Sequence, residues 1–201
     1  MLRVTYLVNS VFTSRTYILT DDKLAEFWLV DCGDLPPLTD ILFSLGGRSF
    51  MVRGVLLTHA HYDHLYGLPG LTDLFPGIKV YTNEFGKVAL ADARLNFSKY
   101  HYDPIVYESE NVLVCDEGSE IDLFDGVRAK VYYTPGHNPS CLTYEVGEYL
   151  FTGDAYIPGN KVVTTLTGGD KQMAAKSTDR ILRLSEGKII CPGHEVMAAI
   201  M

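Results

Sequence analysis

Apolar positions along the chain fall mainly into short β-branched and aromatic runs bounded by turn residues. Residues 2–8, 15–20 and 26–31 show this pattern and are read as strands. "LPPLTDILFSLGG" has the spacing of a helix that starts at its prolines, with Thr39 or Asp40 near its beginning and a glycine stop. "VRGVLLT" reads as a buried strand, "LYGLPGLTDLFPG" as a short irregular helix and "IKVYT" as a further strand. Asn83 is placed to cap "EFGKVALADARL", whose leading Glu84 suits the positive end of a helix dipole. Residues 97–120 are turn-rich with short strand pieces. "RAKVYYT", "CLTYEV", "EYLFT" and "KIIC" are further strands, and "DKQMAAKSTDRILRLSEG" is a helix with Asp170 as cap and Gly187 as stop. Strands come in blocks with helices between them and no linker divides them. A single layered α/β domain over residues 1–201 is expected.

Composition narrows this picture. With 201 residues, 47% of them hydrophobic, the chain can bury one core and is short for two. No stretch approaches the roughly 20 apolar residues of a membrane span. The first residues, "MLRVTYLVNSVFTSRTYIL", are too interrupted by polar side chains for a signal peptide. Cys32, Cys115, Cys141 and Cys191 are scattered without CxxC spacing, so no disulfide framework is expected and a reducing cytoplasm is the default location. A net charge of −8 disfavours nucleic acid as a partner. The expected partner is a small-molecule substrate, with neither nucleic acid nor membrane involved. The oligomeric state is left open.

The chemistry is concentrated in "THAHYDH" (58–64), which spends three of six histidines and an aspartate directly behind an apolar run. Neutral imidazole and carboxylate are the side chains that bind a transition metal at neutral pH. Three other segments repeat the arrangement: "TPGH" (134–137) after "RAKVYY", "TGD" (152–154) after "EYLF", and "PGH" (192–194) after "KIIC". If these strand ends meet at one edge, His59, His61, Asp63, His64, His137, Asp154 and His194 converge. Seven ligands are too many for one tetrahedral metal and suit two.

This pattern, from "WLVDCGD" to "PGHE", resembles the metallo-β-lactamase superfamily, and within it the glyoxalase II-like hydrolases. The resemblance implies a four-layer αββα sandwich with a dinuclear site between its two sheets. It assigns His59, His61 and His137 to a first metal, Asp63, His64 and His194 to a second, and Asp154 to a bridge. It also gives Asp31 the role of a buried carboxylate that orients a ligand imidazole. The implied cofactors are two divalent ions, zinc first, with iron or manganese as alternatives. The commonest subclass of true β-lactamases has Cys where Asp154 stands, so antibiotic hydrolysis is not expected. Glyoxalase II proper adds a C-terminal helical domain that grips glutathione, whereas seven residues follow His194 here, so the use of a glutathione-linked substrate is left open.

The chemistry expected is hydrolysis of an ester-like bond, thioester or lactone preferred, by water activated at two metals, with Asp63 also aiming the water. One alternative is a persulfide dioxygenase with a single iron on His59, His137 and Asp154. Another is a non-catalytic metal-binding module. Segments 95–104 and 155–171 are expected to overhang the metals and to offer Tyr100, Tyr102, Tyr156 and Lys171 to an anionic, partly apolar substrate. His101, outside the constellation, is expected to be packed or solvated.

Overall fold

The computed structural model describes residues 1–23, 25–47 and 49–195. Eleven strands form two mixed sheets. The first sheet has the order β1 (Arg3–Val8), β2 (Arg15–Thr20), β3 (Glu26–Val30), β4 (Met51–Leu56), β5 (Lys79–Thr82) and β6 (Val112–Val114). Its first three strands are antiparallel neighbours, and β3 to β6 run parallel. Parallel strands need crossovers. These are supplied by α1 (Leu35–Gly46), α2 (Leu68–Leu74) and α3 (Glu84–Leu90). In the second sheet β7 (Glu120–Phe124), β8 (Val127–Tyr133), β9 (Leu142–Val146) and β10 (Tyr149–Gly153) are antiparallel neighbours. Beyond β10, β11 (Ile189–Pro192) pairs parallel after the crossover α4 (Lys171–Leu184).

Three apolar clusters define four layers. Ile18, Phe27, Leu29, Val55 and Leu57 of the first sheet pack with Leu38 and Leu42 of α1 and Leu68 and Leu71 of α2. The opposite face of that sheet, with Leu19, Trp28, Val30 and Leu56, meets Ala129, Val131, Tyr144 and Phe151 of the second sheet. On the outer side of the second sheet, Cys141, Leu150 and Ala155 pack against Ile181 of α4. The result is an αββα sandwich. Trp28 ties the sheets by donating its indole N–H to the Leu123 carbonyl at 2.9 Å. Left unmade in this buried position, that bond would cost about 1–3 kcal/mol. All four cysteines are buried and unpaired.

Several elements differ from expectation. Asp34, not Thr39 or Asp40, precedes α1, with proline in its first positions. Thr39 is already inside the helix and donates to the Pro36 carbonyl. α3 ends at Leu90 rather than running on to Leu95, because the Asp92 side chain accepts from Arg94 N–H and starts a turn. β7, with alternating buried Ile121 and Leu123, was not expected as a strand. Among the described residues no helix is long and apolar enough to cross a membrane.

Candidate metal centre

Ligand-bearing segments leave the carboxyl ends of β3, β4, β8, β10 and β11 and meet at one edge of the sandwich. Strand carboxyl ends are where open α/β sheets place ligands, because the outgoing loops are free of packing. After β4 the chain continues through Thr58, and Leu142 N–H donates to the Thr58 carbonyl, which holds the loop against the second sheet. His61 then precedes a single 3₁₀ turn, Tyr62–His64, that presents Asp63 and His64. Ser14 Oγ donates to the Asp63 carbonyl at 2.7 Å, and Cys32 N–H donates to the His64 carbonyl at 2.8 Å. The His194 segment is held by Tyr17 OH donating to the Pro192 carbonyl and Arg15 N–H donating to the Gly193 carbonyl. Glycine at 193 is obligatory: a Cβ there would lie 2.2 Å from Asp154 Oδ1.

All seven expected ligands are brought together. Their donor atoms form sets that each close within 4.8 Å: His59, His61 and His137; Asp63, His64 and His194; and His59, His64 and Asp154. Asp154 Oδ2 lies 3.6 Å from His137 Nε2 and 3.2 Å from His194 Nε2, so one carboxylate faces both triads. Asp63 Oδ2 is 3.2 Å from His194 Nε2 and 3.3 Å from His64 Nε2.

Hydrogen bonds on the outer ring nitrogens set the inner ones. His64 Nδ1 meets Asp31 Oδ2 at 2.8 Å, His137 Nδ1 meets the Val163 carbonyl at 2.8 Å, and His194 Nδ1 meets the Phe12 carbonyl at 2.8 Å. Each Nδ1 faces an acceptor and therefore carries a proton, leaving Nε2 to face the centre. Asp31 is buried in left-handed backbone with φ 60°, and it also accepts from Thr58 N–H at 2.7 Å and Thr58 O–H at 2.8 Å. His59 Nε2 and Asp154 Oδ1 are buried without any hydrogen-bond partner. Buried polar atoms in native proteins are normally satisfied. Among the described residues, these orphaned atoms and the inward-facing nitrogens fit divalent metal binding.

The two triads differ electrostatically. Burial, aided by the neighbouring imidazoles, pushes His59 far down, and burial and His137 bring His61 to about 3. Both are neutral and ready to ligate. Burial alone would raise Asp63 and Asp154, but the imidazoles around them prevail and hold both carboxyls low. Burial would likewise lower His64 and His194, but the carboxylates prevail, raising His64 strongly and His194 to about 10.

Asn138 is a contact that spacing did not reveal. Its Oδ1 accepts from Ser140 N–H and O–H, so its amide group faces His61 Nε2 at 2.8 Å.

A family model described as the metallo-beta-lactamase superfamily matches residues 11–194. The chain belongs to that superfamily. Among curated relatives, the hydroxyacylglutathione hydrolase of Enterobacter sp. (strain 638) is 29% identical over 189 residues, covering 92% of this chain and 63% of the relative. That of Photorhabdus laumondii is 26% identical and is covered over 66% of its length, so the chain spans just under two thirds of such relatives. Among solved structures, the BLEG-1 B3 metallo-beta-lactamase superposes with a TM-score of 0.84 at 27% identity, over 96% of this chain and 92% of that one. TTHA1623 in a di-iron-bound form superposes at 0.75 with 25% identity, again over 96% and 92%.

The secondary expectations fare unevenly. Tyr100 lines the cavity over the centre, together with His61, Asp63, His137, Asp154 and His194. Tyr102 is 97% exposed and does not line it. Tyr156 packs beside Ile181 and Leu184 on the other side of the second sheet. Lys171 is the exposed first residue of α4, also outside the cavity, because the helix must begin only after the chain has passed the site. His101 stacks on Tyr62 at 3.8 Å between ring centroids and lines the cavity, but it belongs to no ligand cluster among the described residues.

Proposed function

We propose that this chain is a metal-dependent hydrolase that adds water to an ester-like carbonyl, with thioesters and lactones preferred. The observation that carries the reading is Asp154 facing two separate ligand triads, at 3.6 Å and 3.2 Å from one nitrogen of each. His59, His61 and His137 would hold one cation, Asp63, His64 and His194 the other, with Asp154 between them. Two divalent cations in such a site bring water's pKa towards neutrality and polarise a carbonyl oxygen. The relatives named hydroxyacylglutathione hydrolase support the reaction class, and the di-iron form of TTHA1623 supports a metal pair. Zinc is the first candidate for the metal here, with iron or manganese as alternatives. Cytoplasmic placement is part of the same reading.

The chain's own groups supply orientation and proton handling. Asp63 is a carboxylate at neutral pH and lines the cavity, where it would accept a hydrogen bond from the attacking water. Asp31 and the carbonyls of Phe12 and Val163 hold three imidazoles with Nε2 inward, so the ligand set is formed before substrate arrives. For a thioester the sum is RCOSR′ + H₂O → RCOO⁻ + H⁺ + R′SH. The C–S bond breaks with its electron pair on sulfur, and a thiolate leaves with little need of a general acid because thiols ionise near pH 8.5.

The test is a panel of thioesters, lactones, phosphodiesters and a β-lactam, assayed with and without air beside glutathione persulfide. Hydrolysis of thioester or lactone, indifferent to oxygen, is the expected result. Oxygen uptake with the persulfide and no hydrolysis would replace this reading with the iron dioxygenase. Selective turnover of the β-lactam would move the chain towards the lactamase branch.

A further inference from the structure

The cavity over the centre measures about 360 Å³, at the small end of ligand pockets. Its lining divides sharply. Of its histidines and carboxylates, His61, Asp63, His137, Asp154 and His194 belong to the centre itself, and His101 stands outside it, stacked on Tyr62. The walls are Phe12, Tyr62, Phe97, Tyr100, Val163 and Leu166, and among the described residues no lysine or arginine lines the space. Among the described residues, the lysine contact expected for an anionic substrate is therefore not part of these walls.

Two of these aromatic residues are held where residues of their kind rarely sit. Phe12 has φ 52° and Phe97 has φ 64°, left-handed conformations that cost on the order of 1–3 kcal/mol and persist only where the surroundings impose them. The surroundings do so. The Phe12 carbonyl accepts from His194 Nδ1, and the next carbonyl, of Thr13, accepts from Glu195 N–H. Phe97 lies between Asn96, whose side chain bonds the Ala89 and Ile105 carbonyls at 3.0 Å each, and Ser98, whose N–H donates back to Asn96 Oδ1. The Phe97 ring then meets His61 edge-on at 4.8 Å. Phe12 remains 67% exposed, with its ring edge-on to His101 at 6.1 Å and His101 stacked on Tyr62. Thr13 shares the left-handed conformation at φ 56°, and Ser14 N–H donates to the Val11 carbonyl, so the β1–β2 hairpin turn sets the Phe12 backbone; the turn does not call for an exposed aromatic side chain there.

The backbone also couples these walls to the ligands. The carbonyls that fix the tautomers of His194 and His137 belong to Phe12 and Val163, whose side chains face the same cavity. A carbonyl seated at the centre must therefore carry its substituent between these walls. From the juxtaposition of aromatic walls free of lysine and arginine with the ligand cluster, we propose that the substrate presents an uncharged arylacyl group to Phe12, Phe97 and their neighbours, and that acyl groups with a carboxylate among those walls are rejected. An acyl carboxylate held among these rings, away from the centre, would lose water with no lysine or arginine to pair it, and such burial is costly. This inference rests on the hydrolase reading only for the word acyl; the selectivity of the cavity stands without it.

Two measurements on the metal-loaded full chain test the proposal. The first compares kcat/KM for N-acetylcysteamine thioesters of phenylacetate, acetate and succinate, each divided by its rate with free hydroxide. Apolar contacts of this size discriminate by roughly 10–200-fold. Phenylacetyl should exceed acetyl by about tenfold or more and succinyl should fall below acetyl, with the phenylacetyl advantage shrinking in Phe12→Ala and Phe97→Ala. The second measurement is calorimetric binding of the matching ketones, in which CH₂ replaces sulfur and nothing can be hydrolysed. Tighter binding of the phenylacetyl ketone than of the succinyl ketone supports the proposal even if no thioester is turned over, a result that would reject the hydrolase reading alone. Equal or tighter binding of the succinyl ketone, no binding of either, or preferred turnover of succinyl overturns it.

Discussion

Replacing Asp31 with Asn changes one atom's chemistry and little of its shape, so its consequence can be followed bond by bond. The side chain accepts three hydrogen bonds, from Thr58 N–H, Thr58 O–H and His64 Nδ1. Asparagine tolerates the left-handed φ of 60° about as well as aspartate does, so the backbone is spared. Its carbonyl oxygen can keep the Thr58 N–H, which leaves the NH₂ group where Oδ2 stood. The Thr58 hydroxyl oxygen, 3.2 Å from His59 Nδ1, can turn its own proton away and accept from the new NH₂ group while His59 keeps its proton on Nδ1. To ligate, His64 must be neutral, and facing an N–H donor at Nδ1 it keeps its one proton on Nε2, the atom 3.3 Å from Asp63 and 3.5 Å from Asp154. That proton then stands where a cation would bind. Loss of such an orienting partner weakens metal affinity by roughly 10–100-fold, or about 1.4–2.8 kcal/mol. In a competition titration against a chromophoric chelator, one equivalent of zinc should weaken by that factor while the equivalent on His59, His61 and His137 holds. Two equivalents with wild-type affinity in Asp31→Asn would refute the reasoning about the tautomer.

Gly193→Ala puts a methyl group 2.2 Å from Asp154 Oδ1 and 3.0 Å from His64 Cε1, so the shared carboxylate must move. Overpacking of this kind costs about 1–3 kcal/mol, and both the melting temperature and the retained metal should fall. Asp63→Ala should lower turnover by about 10²-fold or more while the metal-free protein still folds, and an active variant would remove Asp63 from the chemistry. Because His194 sits near pKa 10 in the metal-free protein, it is protonated at pH 7 and must release that proton to ligate. Calorimetry in buffers of different ionisation enthalpy should therefore detect proton release, with affinity rising with pH; zero release at pH 7 contradicts this. By the same sign, against about 6.5 in the unfolded chain, His194 stabilises the metal-free fold below that pH and ceases to as pH climbs through 10.

The sequence was most legible where one physical signal dominated. Continuous β-branched runs such as "RTYILT" marked buried strands, and histidines placed behind strands marked the centre. The end of α3 was less legible because "ADARL" has helical composition, and only the Asp92 side chain bonding Arg94 N–H breaks it. Segments 95–104 and 155–171 do reach the cavity, through Phe97, Tyr100, His101, Val163 and Leu166. Which side chains point inward depends on turn geometry that periodicity does not encode, and Tyr102, Tyr156 and Lys171 do not line the cavity. Phe12 had no sequence signal, because its place above the centre comes from a hairpin turn that meets His194 across 182 positions. Asn138 was overlooked for a related reason: its bond to His61 spans 77 positions.

The most direct measurement is metal content together with location. The purified chain, loaded with zinc and freed of excess, should hold two equivalents by elemental analysis, and anomalous scattering from crystals should show two peaks flanking Asp154. Asp154→Ala should lose at least one of them. A chain that retains no metal after loading, or one whose metal lies away from His59, His64 and Asp154, would contradict the assignment.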